Sequence, residues 1–131
     1  MITKTNIEVP GLGDSRKYAY LQCVTAGDFA FVAGQTGVDK DYNIVSPEFG
    51  AQARQALRNV GLALEAAGTN LANIVNLTVY LADARDAFEF IDICHELMDE
   101  NFAPTAILGG IDFVLSGLRI EIQATAVIER P

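Results

Sequence analysis

From Leu118 onward the chain alternates strictly. Leu118, Ile120, Ile122, Ala124 and Ala126 are apolar, and Arg119, Glu121, Gln123 and Thr125 between them are polar. Successive side chains of a β-strand point to opposite faces, so this period of two gives one apolar and one polar face. A strand over Leu118 to Glu129 therefore needs cover on one side only, which restricts the chain to layered architectures. The segment from Ile74 to Leu81 repeats the pattern. Val75, Leu77, Val79 and Leu81 point one way, and Asn76, Thr78 and Tyr80 the other.

Two helices supply the cover. Phe49, Ala53, Ala56, Leu57, Val60, Leu64 and Ala67 recur at helical spacing and form one face. Ser46-Pro47-Glu48 suits the start of this helix, with serine as cap, proline in the first turn and an acid at the positive dipole end. Gly68 suits its stop. A second helix is expected from about Arg85 to Asn101, capped by Asp83, with Phe88, Ile91, Cys94, Met98 and Phe102 as its inner stripe. Upstream, Tyr18 to Thr25 and Phe29 to Gln35 read as two strands around a turn at Ala26-Gly27-Asp28. The order ββ, α, β, α, β predicts an α+β fold, with both helices on one face of the sheet. A length of 131 residues fits one domain. The pattern leaves open whether the polar sheet face is wet or lines a subunit interface.

Charge and composition remove several classes of function. Nine basic residues face seventeen acidic ones, for a net charge of −8, and among the basic residues only Arg16 and Lys17 are adjacent. Nucleic-acid binding needs a dense basic footprint, so nucleic acid is not expected as a partner. No apolar stretch is long enough to span a membrane. Met1 to Thr5 carries no charged region followed by an apolar run, so the expectation is a cytoplasmic chain without a secretory leader. Cys23 and Cys94 are expected to be reduced and buried. His95 is the single histidine and no CxxC or HxxxH spacing occurs, so no metal site is expected.

Three segments together resemble the Rid (YjgF/YER057c/UK114) family. They are Ala19-Tyr20-Leu21-Gln22 with Val32-Ala33-Gly34-Gln35-Thr36-Gly37, then residues 51–60 continuing through Leu64-Glu65-Ala66-Ala67-Gly68 to Val79-Tyr80-Leu81, and finally Ile120 to Val127. The resemblance implies a chorismate-mutase-like fold with a mixed β-sheet. It also implies a homotrimer whose polar sheet faces meet in the middle, with a small-molecule ligand in an intersubunit cleft. Members hydrolyse reactive imines or enamines to a ketone and ammonia without a cofactor. Some have been described as ribonucleases or translation inhibitors, a role the acidic balance argues against.

The same resemblance proposes site residues. Tyr20 matches the pocket tyrosine, Gly34 the glycine at the strand end, and Glu121 the acid/base group. A 2-imino acid carries a carboxylate, which a guanidinium binds through two parallel hydrogen bonds. In the deaminases that arginine follows a Pro-Ala pair. Here Pro104-Thr105 leads to Ala106, and no lysine or arginine lies between Arg85 and Arg119. Leu108 replaces a frequent cysteine, and Ile91 a polar helix residue. The expected cleft is therefore less basic and more apolar, lined by Ala106, Leu108, Gly109, Gly110 and Phe113. Arg119 shares a strand face with Glu121, as a substitute cation or, more in keeping with the family, as an ion-pair partner. The functional expectation is a hydrolase for an imine or enamine that lacks a 2-carboxylate or presents it differently. The alternative is a non-catalytic small-molecule binder or metabolite sensor using the same cleft.

Overall fold

The computed structural model describes residues 3–129; Met1 and Ile2, part of the stretch read for a leader, lie outside them. Eight elements follow one another: β1 (Thr5–Asn6), β2 (Cys23–Ala26), β3 (Phe29–Thr36), α1 (Phe49–Ala66), β4 (Ile74–Leu81), α2 (Ala87–Leu97), β5 (Thr105–Leu108) and β6 (Ile120–Val127). The strands form one sheet in the order β1-β2-β3-β6-β4-β5. Pairing is antiparallel throughout except between β4 and β5, which are parallel. The architecture is α+β with a mixed sheet, as expected.

Two strands are additional to the expected order. β1 is two residues long, too short for a periodic signal. β5 is four residues with every side chain exposed, so it lacks the in-out alternation that marks a half-buried strand. It is reached from β4 through α2, the crossover that a parallel pair requires.

One face of the sheet carries the core. Ala30 and Val32 of β3, Leu77, Val79 and Leu81 of β4, and Ile120, Ile122, Ala124 and Ala126 of β6 are buried against α1 and α2. From α1, Ala53, Ala56, Leu57, Val60 and Leu64 meet them. The helix ends as glycine at that position allows: Gly68 has φ +88, its N–H donates to Glu65 O at 3.1 Å, and the Thr69 N–H donates to Leu64 O at 2.9 Å. These two bonds satisfy carbonyls the helix would otherwise orphan. The start differs from expectation. The cap position is Glu48, and the Ser46 hydroxyl accepts from the Glu48 N–H at 3.0 Å, so Ser46 closes a turn ahead of the helix.

Three further expectations are corrected. Tyr18 to Gln22 is not strand. Arg16–Tyr18 forms a 3-10 turn, Ala19 takes a left-handed φ of 66°, and the N–H groups of Ala19 and Tyr20 go to Arg16 O and Ser15 O. Those local bonds use the donors a strand would have offered its neighbour. In β4, a shift of register between Ile74 and Asn76 turns Ile74 inward and leaves Val75 exposed. In α2 the buried residues are Phe90, Ile93 and the following Met98, with Cys94 half-buried, whereas Phe88 is 79% exposed and Ile91 and Phe102 are also exposed. Apolar residues occupy more than one face of this helix, so two stripes compete in the sequence. The 3-10 turn Ala84–Asp86, capped by Asp83 through the Arg85 N–H, delays the helix to Ala87.

Cys23 is buried and Cys94 half-buried, both unpaired, and burial pushes each thiol up to about 11. That makes them poor nucleophiles at neutral pH. Among the described residues no helix is long and apolar enough to cross a membrane.

Candidate ligand cleft

The sheet face away from the helices is open. Register places Thr78 beside Ala106 and Gln123, and Tyr80 between Leu108 and Glu121. Phe31 of β3 stands opposite Thr125. At the β3 end of this face the pairing with β6 is interrupted. Val32 faces Ala124, but the next partners are Gln35 with Ile122 and Thr36 with Glu121. Three steps on β3 thus match two on β6, which is a β-bulge, and Ala33-Gly34 form it.

Gly34 is there because Glu121 is close. A Cβ on Gly34 would lie 2.6 Å from Glu121 Oε2 and 2.7 Å from its Cδ, so any side chain would evict the carboxyl group. Among the described residues no hydrogen bond or ion pair engages that carboxyl group. Burial without compensation disfavours its charged form and raises the pKa from the ordinary 4.5.

A run of polar groups leads from the bulge to two tyrosines. Gln35 Nε2 donates to Ala33 O at 3.1 Å and to Gln22 Oε1 at 2.8 Å. Gln22 Nε2 donates to Gly13 O at 3.1 Å and to Tyr42 Oη at 3.4 Å. Tyr42 Oη and Tyr20 Oη are 3.1 Å apart. Tyr42 is placed by a tight turn in which Asp39 Oδ1 accepts from the N–H groups of Asp41 and Asn43; these bonds lower the Asp39 pKa, the Asn43 N–H most. Burial, with Tyr20 as neighbour, pushes the Tyr42 hydroxyl well above its ordinary value, so it stays protonated. Tyr18 packs edge-on against the Tyr42 ring at 5.3 Å.

These groups border an open cleft of about 1010 Å³. Glu121, Gly34 and Tyr20 meet in it, joined by Tyr18, Tyr42 and Tyr80. The loop after β5 closes the far side with Ile111, Phe113 and Leu115. Ala106 and Leu108 lie on the same sheet face, but on edge strand β5, one strand beyond Tyr80, and do not line the cleft. Nor do Gly109 and Gly110, whereas Phe113 does.

Arg119 is placed elsewhere, and the expected pairing with Glu121 is corrected. Its Nη2 meets Asp86 Oδ2 at 2.9 Å and its Nη1 reaches Pro47 O at 3.4 Å. The guanidinium carbon lies 5.6 Å from the Phe49 ring centroid, and its backbone N–H donates to Gln52 Oε1 at 2.8 Å. Arg119 precedes the first paired residue of β6, so strand alternation does not govern its direction, and the start of α1 and Asp86 collect it. Sequence reasoning missed Tyr42, Asp41 and Asp112 in the cleft. The run Asp39-Lys40-Asp41-Tyr42-Asn43 announces a turn, but nothing in it tells that the ring reaches Tyr20.

The sequence model of the family described as Endoribonuclease L-PSP matches residues 15–128. A RutC family protein from Pyrococcus horikoshii is 35% identical over 111 residues, 84% of this chain and 87% of that protein. The human 2-iminobutanoate/2-iminopropanoate deaminase is 35% identical over 109 residues, 82% of this chain and 79% of that protein. RidA from an Antarctic Psychrobacter superposes with a TM-score of 0.85 at 25% identity, covering 95% of this chain and 99% of that one.

Proposed function

Since the chain belongs to the endoribonuclease L-PSP family, the Rid proteins, we propose that it hydrolyses a small reactive imine or enamine that carries no 2-carboxylate, working as a homotrimer whose open sheet faces meet. The observation that carries this reading is the carboxyl group of Glu121, unpartnered and half-buried against Gly34, facing a cleft it shares with the Tyr20–Tyr42 hydroxyl pair. A carboxyl group with a raised pKa exchanges protons near neutral pH more readily than an ordinary one. The resembling deaminases hold their substrate's carboxylate with an arginine at the position of Ala106, on the same open sheet face as the cleft, and among the described residues no guanidinium lines the cleft in its place. Phe29 and Phe31, exposed on the open face, supply apolar surface for contact between copies.

The chemistry balances with this chain's own groups. Water adds to the imine carbon and gives a proton to Glu121, forming a carbinolamine. Glu121 returns the proton to nitrogen, the carbon–nitrogen bond breaks as the carbonyl forms, and the hydroxyl proton leaves with the nitrogen, as ammonia from a neutral imine and as ammonium from a protonated one. Tyr20 and Tyr42 orient the oxygen through their hydroxyls.

The test is a matched assay. An amine oxidase generates an imine without a carboxylate, an amino-acid oxidase generates a 2-imino acid, and ketone formation is followed with and without the protein. Acceleration is expected for the first and at least about a hundredfold less for the second, the loss expected when a charged bidentate contact is missing. Glu121→Gln should lower turnover by about 10²–10⁴. Rapid hydrolysis of the 2-imino acid, unaffected by Glu121→Gln, would overturn the assignment.

A further inference from the structure

The cleft that holds Glu121 is acidic and aromatic, and that combination has a consequence for what enters it. Among the described residues three carboxylates line it, Asp41, Asp112 and Glu121, and no lysine or arginine does. The rest of its polar wall is mostly tyrosine, and Phe113 adds a further ring. Tyrosine hydroxyls serve either charge, but ring faces carry negative potential and attract cations.

The chain itself supplies one example. Lys17 Nζ sits 5.3 Å from the Tyr18 ring centroid and 5.9 Å from that of Tyr42, and both rings belong to the cleft wall. An ammonium group already rests on this cluster, which leaves Tyr20, Tyr80 and Phe113 for a ligand. A metal ion is a poor match, because the carboxylates are dispersed; among the described residues no three acidic, histidine or cysteine side chains gather closely enough to hold one.

A second copy meeting the open face would not reverse this charge through its sheet. β3, β4, β5 and β6 contain neither lysine nor arginine anywhere along their length. The nearest basic residue in sequence, Arg119, is committed to Asp86 and Pro47.

We infer that this cleft selects a positively charged organic ligand: a protonated imine, or the ammonium ion related to it, bearing an apolar or aromatic group and no carboxylate. The inference rests on the proposed use of this cleft and adds the sign of the ligand's charge. A protonated imine is also the form water attacks most readily, so the charge that favours binding favours the reaction.

The experiment holds shape constant and varies charge. Benzylammonium, benzyl alcohol and benzoate are titrated calorimetrically into the full chain at neutral pH and low salt. Benzylammonium should bind about tenfold or more tighter than benzyl alcohol, with benzoate weakest, as one cation beside partly exposed carboxylates and rings predicts. Added salt should narrow the gap. Glu121→Gln should weaken benzylammonium several-fold and leave benzyl alcohol unchanged. Asp112→Asn, on an exposed loop, is the control if the first variant folds poorly, and should act in the same direction. Benzoate binding as tightly as benzylammonium, equal affinity for all three probes, or no binding of any would overturn the inference. Turnover is read separately, with the imine of benzylamine made by an amine oxidase. A clear preference for the cation without turnover keeps the inference and removes the hydrolase reading. Turnover together with a preference for benzoate does the reverse.

Discussion

The two faces of the one sheet obey different rules. On the helix side the pattern is regular: alternate residues of β3, β4 and β6 are buried, and α1 meets them with residues of small and medium size. On the open side the same strands present Phe31, Thr78, Tyr80, Glu121, Gln123 and Thr125, with a bulge at Ala33-Gly34. The helix side gains free energy from each apolar group removed from water. The open side gains little from burial in a single chain, and it holds the half-buried carboxyl group and the hydroxyl pair. Stability and chemistry are thus divided across a single layer of backbone, and substitutions on the two faces should fail in different ways.

The largest expected contrast sets Phe90 against Phe31. Phe90 is buried between helix and sheet at 1% exposure, while Phe31 is 43% exposed. Phe90→Ala removes a whole ring from a packed core and should cost about 3–5 kcal/mol in urea unfolding. Phe31→Ala should cost within about 0.5 kcal/mol at concentrations where the chain is monomeric. At higher concentration Phe31→Glu should lower the mass measured by light scattering from that of a trimer, as a charge placed in an apolar contact requires. Equal destabilisation by the two alanine variants in the monomer would break the division between faces.

Gly34→Ala tests the open face at its tightest point. The new methyl would stand within 3 Å of the Glu121 carboxyl group, so either strand β3 or the carboxyl group moves. Overpacking of this kind costs about 1–3 kcal/mol. The more telling readout is turnover, which should fall further than stability accounts for, because Glu121 loses its position. A variant with wild-type stability and turnover would mean that the bulge is not there to admit the carboxyl group.

How much was legible in the sequence follows the same division. The alternation of β6 and the stripe of α1 each have a single solution, because one apolar face must find cover. α2 has apolar residues on several sides, so its sequence admits two stripes, and tertiary packing chose Phe90 and Ile93 over Phe88. Tyr18 to Gln22 reads as strand from its side chains, yet its backbone donors are taken by Ser15 and Arg16, a local closure no periodicity records. The site followed the resemblance as far as Tyr20, Gly34 and Glu121, which the fold brings together. Tyr42 escaped because a left-handed turn between β3 and α1 aims it, and Arg119 because it stands outside the paired part of β6.

Arg119 lies at the seam between the two faces and separates their roles. Its guanidinium is bound to Asp86 and Pro47 on the side where α1 begins. Arg119→Met keeps the apolar stem and removes the charge, so the expected cost is about 1 kcal/mol, and the rate on an imine without a carboxylate should be unchanged. A fall in turnover without a fall in stability would place Arg119 on the functional side after all.

The smallest effect comes from Glu121 itself and is seen only through pH. Its carboxyl group titrates from an ordinary value of 4.5 in the unfolded chain and from a higher one when folded, because burial penalises the charge. The folded state therefore holds the proton more tightly. The resulting contribution to stability is complete below the unfolded value and is lost as pH rises through the folded one. Above its folded pKa the wild-type chain bears a charge that its surroundings disfavour, and Glu121→Gln does not. The variant should match the wild type in acid and become the more stable of the two as pH rises, with the gap constant above the folded pKa. Half-exposure keeps the gap below that for Arg119→Met, since water still solvates much of the group. Urea unfolding of both chains from about pH 4 to about pH 8 isolates it, because titrations common to both cancel in the difference. A wild type that gains on the variant as pH rises would mean that the carboxylate has a cationic partner in solution, and the open face would then carry stabilising charge as well as chemistry.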